Sequence, residues 1–145
     1  MDQKSITNSA PVSLMVSVCD MSADKHTGKL IEQLKLLQPD LHVWGLGSSN
    51  MRSAGVEILF DCQEFSDIGI VNVLKHIPFF AQVRKTLFAE MEKRKPKAVL
   101  LVDCGGFNLL LAQAMRARFK TLPIYYFISF KPALVNNSVI PAGCG

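Results

Sequence analysis

Asp103 and Asn108 flank a Cys-Gly-Gly-Phe turn that directly follows the apolar run Ala98–Val102. Open α/β sheets gather their ligands beyond the carboxyl ends of such buried strands. A carboxylate at that point can take a proton as a general base, and a nearby amide can hold a polar group of a substrate. An ordinary structural role competes, with Asp103 capping the helix that follows and Asn108 bonding nearby backbone. A similar arrangement occurs earlier, where the apolar run Val12–Val18 leads into Cys19-Asp20-Met21-Ser22-Ala23-Asp24. There Ser22 or Asp24 can cap the next helix or face a ligand. Gly45-Leu46-Gly47, followed by Ser48-Ser49-Asn50, is either a phosphate-cradling loop or a plain turn, and it lacks the full dinucleotide fingerprint. Cys104, next to Asp103, is a candidate reactive thiol if accessible and an inert small hydrophobe if buried.

Five apolar runs could position these residues as strands: Val12–Val18, Leu41–Leu46, Val56–Phe60, Ala98–Val102 and Leu122–Ile128. Helical patterns lie between them. Lys25–Leu37 puts Leu30, Ile31, Leu34 and Leu37 inward, and a short helix after Gly47 ends near Ala54. A longer helical region runs from about Ile68 to Lys95 with a bend at Pro78. Its second part sets Phe80, Val83, Leu87, Phe88 and Met91 on one stripe, a pattern of core contact or of a basic helix resting on a membrane surface. The last helix begins at Phe107 and places Leu110, Leu111, Ala114 and Met115 inward. Alternating strands and helices predict an α/β fold: a Rossmann-like, doubly wound parallel sheet with right-handed crossovers. Residues 1–11 read as a loose leader, 12–129 as one domain and 130–145 as an irregular tail.

The 145 residues suffice for one domain with a real core, and 49% hydrophobic against 19% charged residues argues against disorder. Sixteen basic and twelve acidic residues give a net charge of +4, which suits an anionic partner without selecting one. The basic residues alternate with acids and lack interleaved aromatics on an exposed face, which speaks against nucleic acid. The four cysteines form no CxxC pair and have no histidine at zinc-finger spacing, so no metal is expected and reduced cytosolic thiols are. The polar N-terminus lacks a signal peptide's apolar core, and no run approaches the roughly twenty apolar residues of a spanning helix. A cytoplasmic protein is expected, soluble or peripheral on the inner face of the membrane.

Four ordered motifs narrow the reading. Ser17-Val-Cys-Asp-Met-Ser-Ala-Asp24 fits the pattern S-x-G-E-x-S-G-D. Gly45, Gly47, Met51 and Gly55 fit G-x-G-G-x-x-M-x-x-x-G, with Ser48 in place of one glycine. Gly69, Val73, Leu74 and Pro78 fit M-G-x-x-E-V-L-x-x-x-P, with Ile68 and Asn72 departing from it. Asp103, Phe107 and Asn108 fit D-x-P-D-F-N. Over about Val12 to Ser129 the chain therefore resembles the N-terminal half of the lipid-A-disaccharide synthase family, two-domain glycosyltransferases of GT-B type.

The resemblance implies transfer of a diacylglucosamine unit from UDP to a diacylglucosamine phosphate in lipid A biosynthesis. A UDP-sugar and an acylated glucosamine phosphate are then the partners, with no cofactor. Asp103 and Asp20 are the candidate catalytic residues, and Ser22, Asp24 and Asn108 the candidate substrate-binding ones. Basic residues such as Lys75 and Arg84 favour an anionic bilayer surface, each worth about 1 kcal/mol close to it. Departures carry an alternative, a non-catalytic truncated remnant or a lipid-binding half without the UDP-binding domain. Gly106 stands where the family has its second acid, Gly105 replaces a proline, and Lys97 takes the place of an acid before the central strand. Cys19-Asp20 replaces Gly-Glu, and after Ser129 the pattern gives way to Phe130-Lys-Pro. A frame shift beyond Ile128, and a separate chain supplying the C-terminal half, are the corresponding expectations. A dinucleotide-binding domain fits less well, because no G-x-G-x-x-G follows the first strand.

Overall fold

The computed structural model describes residues 11–64 and 77–127. Five strands, β1 (Ser13–Val18), β2 (His42–Gly47), β3 (Glu57–Asp61), β4 (Ala98–Val102) and β5 (Ile124–Phe127), make one parallel sheet in the order β3-β2-β1-β4-β5. The helices α1 (Met21–Leu37), α2 (Ser49–Ser53), α3 (Ile77–Arg94) and α4 (Gly105–Arg118) alternate with them along the chain. The strands progress outward from β1 to β3, and the chain then returns to place β4 on the other side of β1. This reversal is a topological switch point, and it opens a crevice at the carboxyl ends of β1 and β4. The Rossmann-like α/β class expected from the sequence is the class observed.

Side chains alternate along the central strands and so supply two cores. Val16, Val18 and Val102 pack with Ala23, Ile31 and Met51 beneath α1 and α2. Met15, Val99 and Leu101 pack with Val83, Leu87, Met91, Leu111 and Met115 beneath α3 and α4. Each fully buried aliphatic side chain contributes about 1.5–3 kcal/mol, so the sheet is anchored on both faces. Polar groups within these layers have partners: Trp44 Nε1 donates to Ser13 Oγ at 2.8 Å and Ser17 Oγ donates to Asn108 Oδ1 at 2.7 Å. Gly45 has φ 143, and a Cβ there would lie 2.0 Å from the Val16 carbonyl oxygen, so a side chain cannot be accommodated where β2 passes β1.

Some helix faces differ from the sequence expectation. α1 starts at Met21 rather than Lys25, because Asp20 already caps it. Its buried residues are Ala23, Asp24, Thr27, Gly28 and Ile31, whereas Leu30 is 42% and Leu37 84% exposed. The reason is close packing. A Cβ at Gly28 would meet the Asn50 carbonyl oxygen at 2.9 Å, so α1 must turn its small residues, not its leucines, towards α2. α4 starts at Gly105 and buries Phe107, Asn108, Leu111, Ala112 and Met115, leaving Leu110 exposed. Val83, Leu87, Phe88 and Met91 are buried and Phe80 is half-buried, so the stripe on α3 faces the core as expected. Residues 1–10 of the leader, the whole tail (130–145), and residues 65–76 of the predicted helical region and the loop before it lie outside the described residues.

Candidate functional site

α1 and α4 follow the two strands that border the crevice, so both helices present their N-termini there. Free N–H groups and the helix dipole favour negative charge at such ends. The β1–α1 turn is regular. Asp20 is extended, with φ −133 and ψ 157, and its carboxylate accepts the Ala23 N–H at 2.8 Å. Ser22 is exposed in the first turn of α1. Asp24 points the other way and is fully buried. It accepts the backbone N–H groups of Ser48 at 2.6 Å, Asn50 at 3.0 Å and Met51 at 3.3 Å, together with the Asn50 side-chain amide at 3.0 Å.

That set of bonds settles the glycine-rich stretch. Gly45 and Gly47 lie in β2, and Ser48 is the N-cap residue of α2. The amides that a phosphate would use are occupied by the Asp24 carboxylate, so the stretch is not a phosphate cradle. Asp20, rather than Ser22 or Asp24, caps α1.

The β4–α4 turn is built differently. Asp103 and Cys104 have φ 50 and 53, the left-handed region that side-chain-bearing residues rarely occupy. Cys104, not Asp103, is the N-cap residue of α4, and it makes no ordinary side-chain capping bond. The turn is held from outside. Asn108 donates to the carbonyl oxygens of Ser17 at 3.2 Å, Val102 at 3.1 Å and Asp103 at 3.0 Å. Tyr126 donates its hydroxyl to the Asp103 carbonyl at 2.7 Å, and Asp103 N–H donates to the Phe127 carbonyl at 2.9 Å. Gly105 and Gly106 follow, and a Cβ at either would meet nothing within 4 Å.

Among the described residues, three thiols lie near this edge of the sheet. Burial raises the Cys19 pKa, as does its hydrogen bond to Cys104. Cys104 is drawn below the ordinary thiol range by the hydrogen bond from Cys19, assisted by the N–H groups of Phe107 and Asn108. Burial and the nearby carboxylates of Asp24 and Asp61 push Cys62 up to about 12. Burial, with Cys104, Cys19 and Asp103 alongside, likewise pushes the Tyr126 phenol up to about 12.

The five residues singled out from the sequence thus differ in position. Asp20 and Asp103 are half-buried on opposite sides of the crevice, Ser22 is exposed beside Asp20, and Asp24 and Asn108 are fully buried. Asn108 bonds nearby backbone, as the structural alternative for it predicted, and also reaches across to β1. Sequence reasoning missed Ser17 and Tyr126 as supports of the turn. Ser17 interrupts an apolar strand with a polar residue, a signal that could have marked it; Tyr126 carries none.

Parallel strand order, a switch-point crevice and two helix N-termini at its mouth define a Rossmann-like α/β domain of the kind that two-domain glycosyltransferases use. Residues 14–132 match the Lipid-A-disaccharide synthetase family, and the chain belongs to that family. It is 37% identical over 119 residues to the lipid-A-disaccharide synthase of Myxococcus xanthus (strain DK1622) and 36% identical over 118 residues to that of Anaeromyxobacter dehalogenans (strain 2CP-C). Against the Geobacter sulfurreducens synthase it is 34% identical over 124 residues. These alignments cover 82%, 80% and 86% of this chain but 30%, 30% and 32% of the relatives. The chain therefore matches under a third of each relative's length. Among the described residues, no helix is long and apolar enough to cross a membrane.

Proposed function

We propose that this chain serves the transfer of a diacylglucosamine unit from UDP to a diacylglucosamine phosphate, and that the β1–β4 crevice is the acceptor side. The observation that carries this reading is the placement of Asp103, half-buried at the switch point on a left-handed turn whose carbonyl is fixed by Asn108 and Tyr126. Asp103 is the first candidate to take the proton from the acceptor hydroxyl as UDP leaves, and Asp20 on the facing turn is the second. Ser22 is placed to contact substrate directly. Asp24 and Asn108 act through the backbone they hold. The Gly105 and Gly106 amides, at a helix N-terminus with open space beside them, suit the acceptor phosphate. Exposed Arg84 and Lys85 on α3 support a peripheral position on an anionic membrane face, while Lys75 lies outside the described residues.

Gly106 favours a second reading. Where the family pattern has an acid, this chain has no side chain, so the domain would bind acceptor without supplying that group. The test gives purified protein UDP-diacylglucosamine and diacylglucosamine phosphate and follows acceptor binding, UDP release and disaccharide together. Turnover that Asp103→Ala abolishes supports the enzyme reading. Acceptor binding without turnover supports the binding half, and a folded protein that binds no acceptor overturns both.

A further inference from the structure

The crevice carries two thiols that glycosyl transfer does not use. Cys19 immediately follows β1, and Cys104 stands two residues beyond β4. Val18 pairs with Val102, so the parallel register sets the two turns side by side. Cys19 is 1% exposed in the core beneath α3 and α4, and half-buried Cys104 packs against the same cluster, close enough for the two thiols to influence each other electrostatically. We propose that Cys19 and Cys104 are a reversible dithiol–disulfide pair that ties the two crevice turns together when the protein meets a low-molecular-weight disulfide.

The surroundings assign the two sulfurs different roles. Burial keeps Cys19 protonated, whereas the Cys19 thiol and the first amides of α4 favour the thiolate at Cys104. The thiolate is the attacking species in thiol–disulfide exchange, and Cys104 is the more accessible of the pair. Cys104 attacks one sulfur of R–S–S–R, giving a Cys104–S–S–R mixed disulfide and releasing R–S⁻, which takes up a proton. Cys19 then loses its proton to solvent and attacks the Cys104 sulfur, expelling the second R–S⁻, which is protonated in turn. Two protein thiols are oxidised to one disulfide, and the small disulfide is reduced to two thiols. The new bond joins the turn bearing Asp20 to the turn bearing Asp103, so occupancy of the crevice becomes sensitive to redox state. Whichever ligand the crevice takes, the exchange itself is unchanged.

The test incubates the native full chain with oxidised glutathione, then measures intact mass and maps the peptides. The expected result is loss of two hydrogens and a linked Cys19–Cys104 peptide, both reversed by dithiothreitol. Cys104→Ser should abolish the change, and Cys62→Ser or Cys144→Ser should leave it intact. Cys19→Ala should stop the reaction at a glutathione adduct on Cys104, with circular dichroism confirming that each variant is folded. The proposal is overturned by a stable adduct on Cys104 of the unsubstituted protein, by linkage through Cys62 or Cys144, or by an unmodified Cys104.

Discussion

The β1–α1 and β4–α4 turns leave neighbouring strands at the same edge of the sheet but enter their helices in different ways. α1 is entered through an extended Asp20 whose own carboxylate satisfies an amide of the first turn. α4 is entered through two consecutive left-handed residues, Asp103 and Cys104, with no ordinary capping bond. Each such residue costs about 1–3 kcal/mol, which the rest of the structure must offset. The offset comes from Asn108, Tyr126 and the Phe127 carbonyl, none of which belongs to the two strained residues themselves. One turn is stable by local means and the other is over-determined from outside. It is the second that carries Asp103, Cys104 and the open Gly105-Gly106 pair.

If the second turn depends on its external supports, Asn108→Ala should have the largest effect. The substitution removes four hydrogen bonds and leaves the fully buried Ser17 hydroxyl without its partner. Unsatisfied buried groups cost about 1–3 kcal/mol each, so a loss of about 3 kcal/mol in urea unfolding is expected. A loss below about 1 kcal/mol, no more than a typical helix cap contributes, would mean that the turn holds itself and would remove the contrast.

Asp20→Ala probes the self-sufficient turn. Loss of a helix N-cap costs about 1 kcal/mol, and the consequence should stay local. Faster hydrogen exchange in the first turn of α1, with little change around α4, is the expected pattern. Destabilisation equal to that of Asn108→Ala would show the two turns to be coupled rather than different.

The two turns also differ in how far sequence alone reveals them. All five strands were legible, because each is an apolar run bounded by turn-forming residues. A doubly wound parallel sheet followed from strand–helix alternation, whereas the place of its reversal, between β1 and β4, emerges only in the folded chain. The inward face of α1 was not legible, since Ala23, Thr27 and Gly28 are selected by the close approach of α2 and not by hydrophobicity. Asp24 looked like a local cap, but its partners lie 24 to 27 residues away, beyond any periodic signal. The Ser17–Asn108 bond spans 91 residues and could be seen only after folding. At Asp103, residue type gave a partial hint, because aspartate enters the left-handed region more readily than most side chains. Cys104 gave none.

Gly106→Asp makes the finest test of the contrast. Gly106 lies in the first turn of α4, outside the positive-φ region, and a Cβ there has open space. That turn contains no acid. A carboxylate near the helix N-terminus adds about 0.3–1 kcal/mol through the dipole, and replacing glycine restricts the unfolded chain by a comparable amount. A net gain of about 0.5–1 kcal/mol is expected, of which the dipole part should shrink in high salt and the chain-entropy part should not. Destabilisation would mean that the first turn of α4 is already satisfied, and α4 would then resemble α1. The same substitution bears on function, since it places an acid where the family pattern has one. If acceptor binding is intact and turnover rises with Gly106→Asp, the crevice is a transferase site that lacks one group. If turnover stays absent in a stabilised, acceptor-binding variant, the reading of this domain as a binding half gains support.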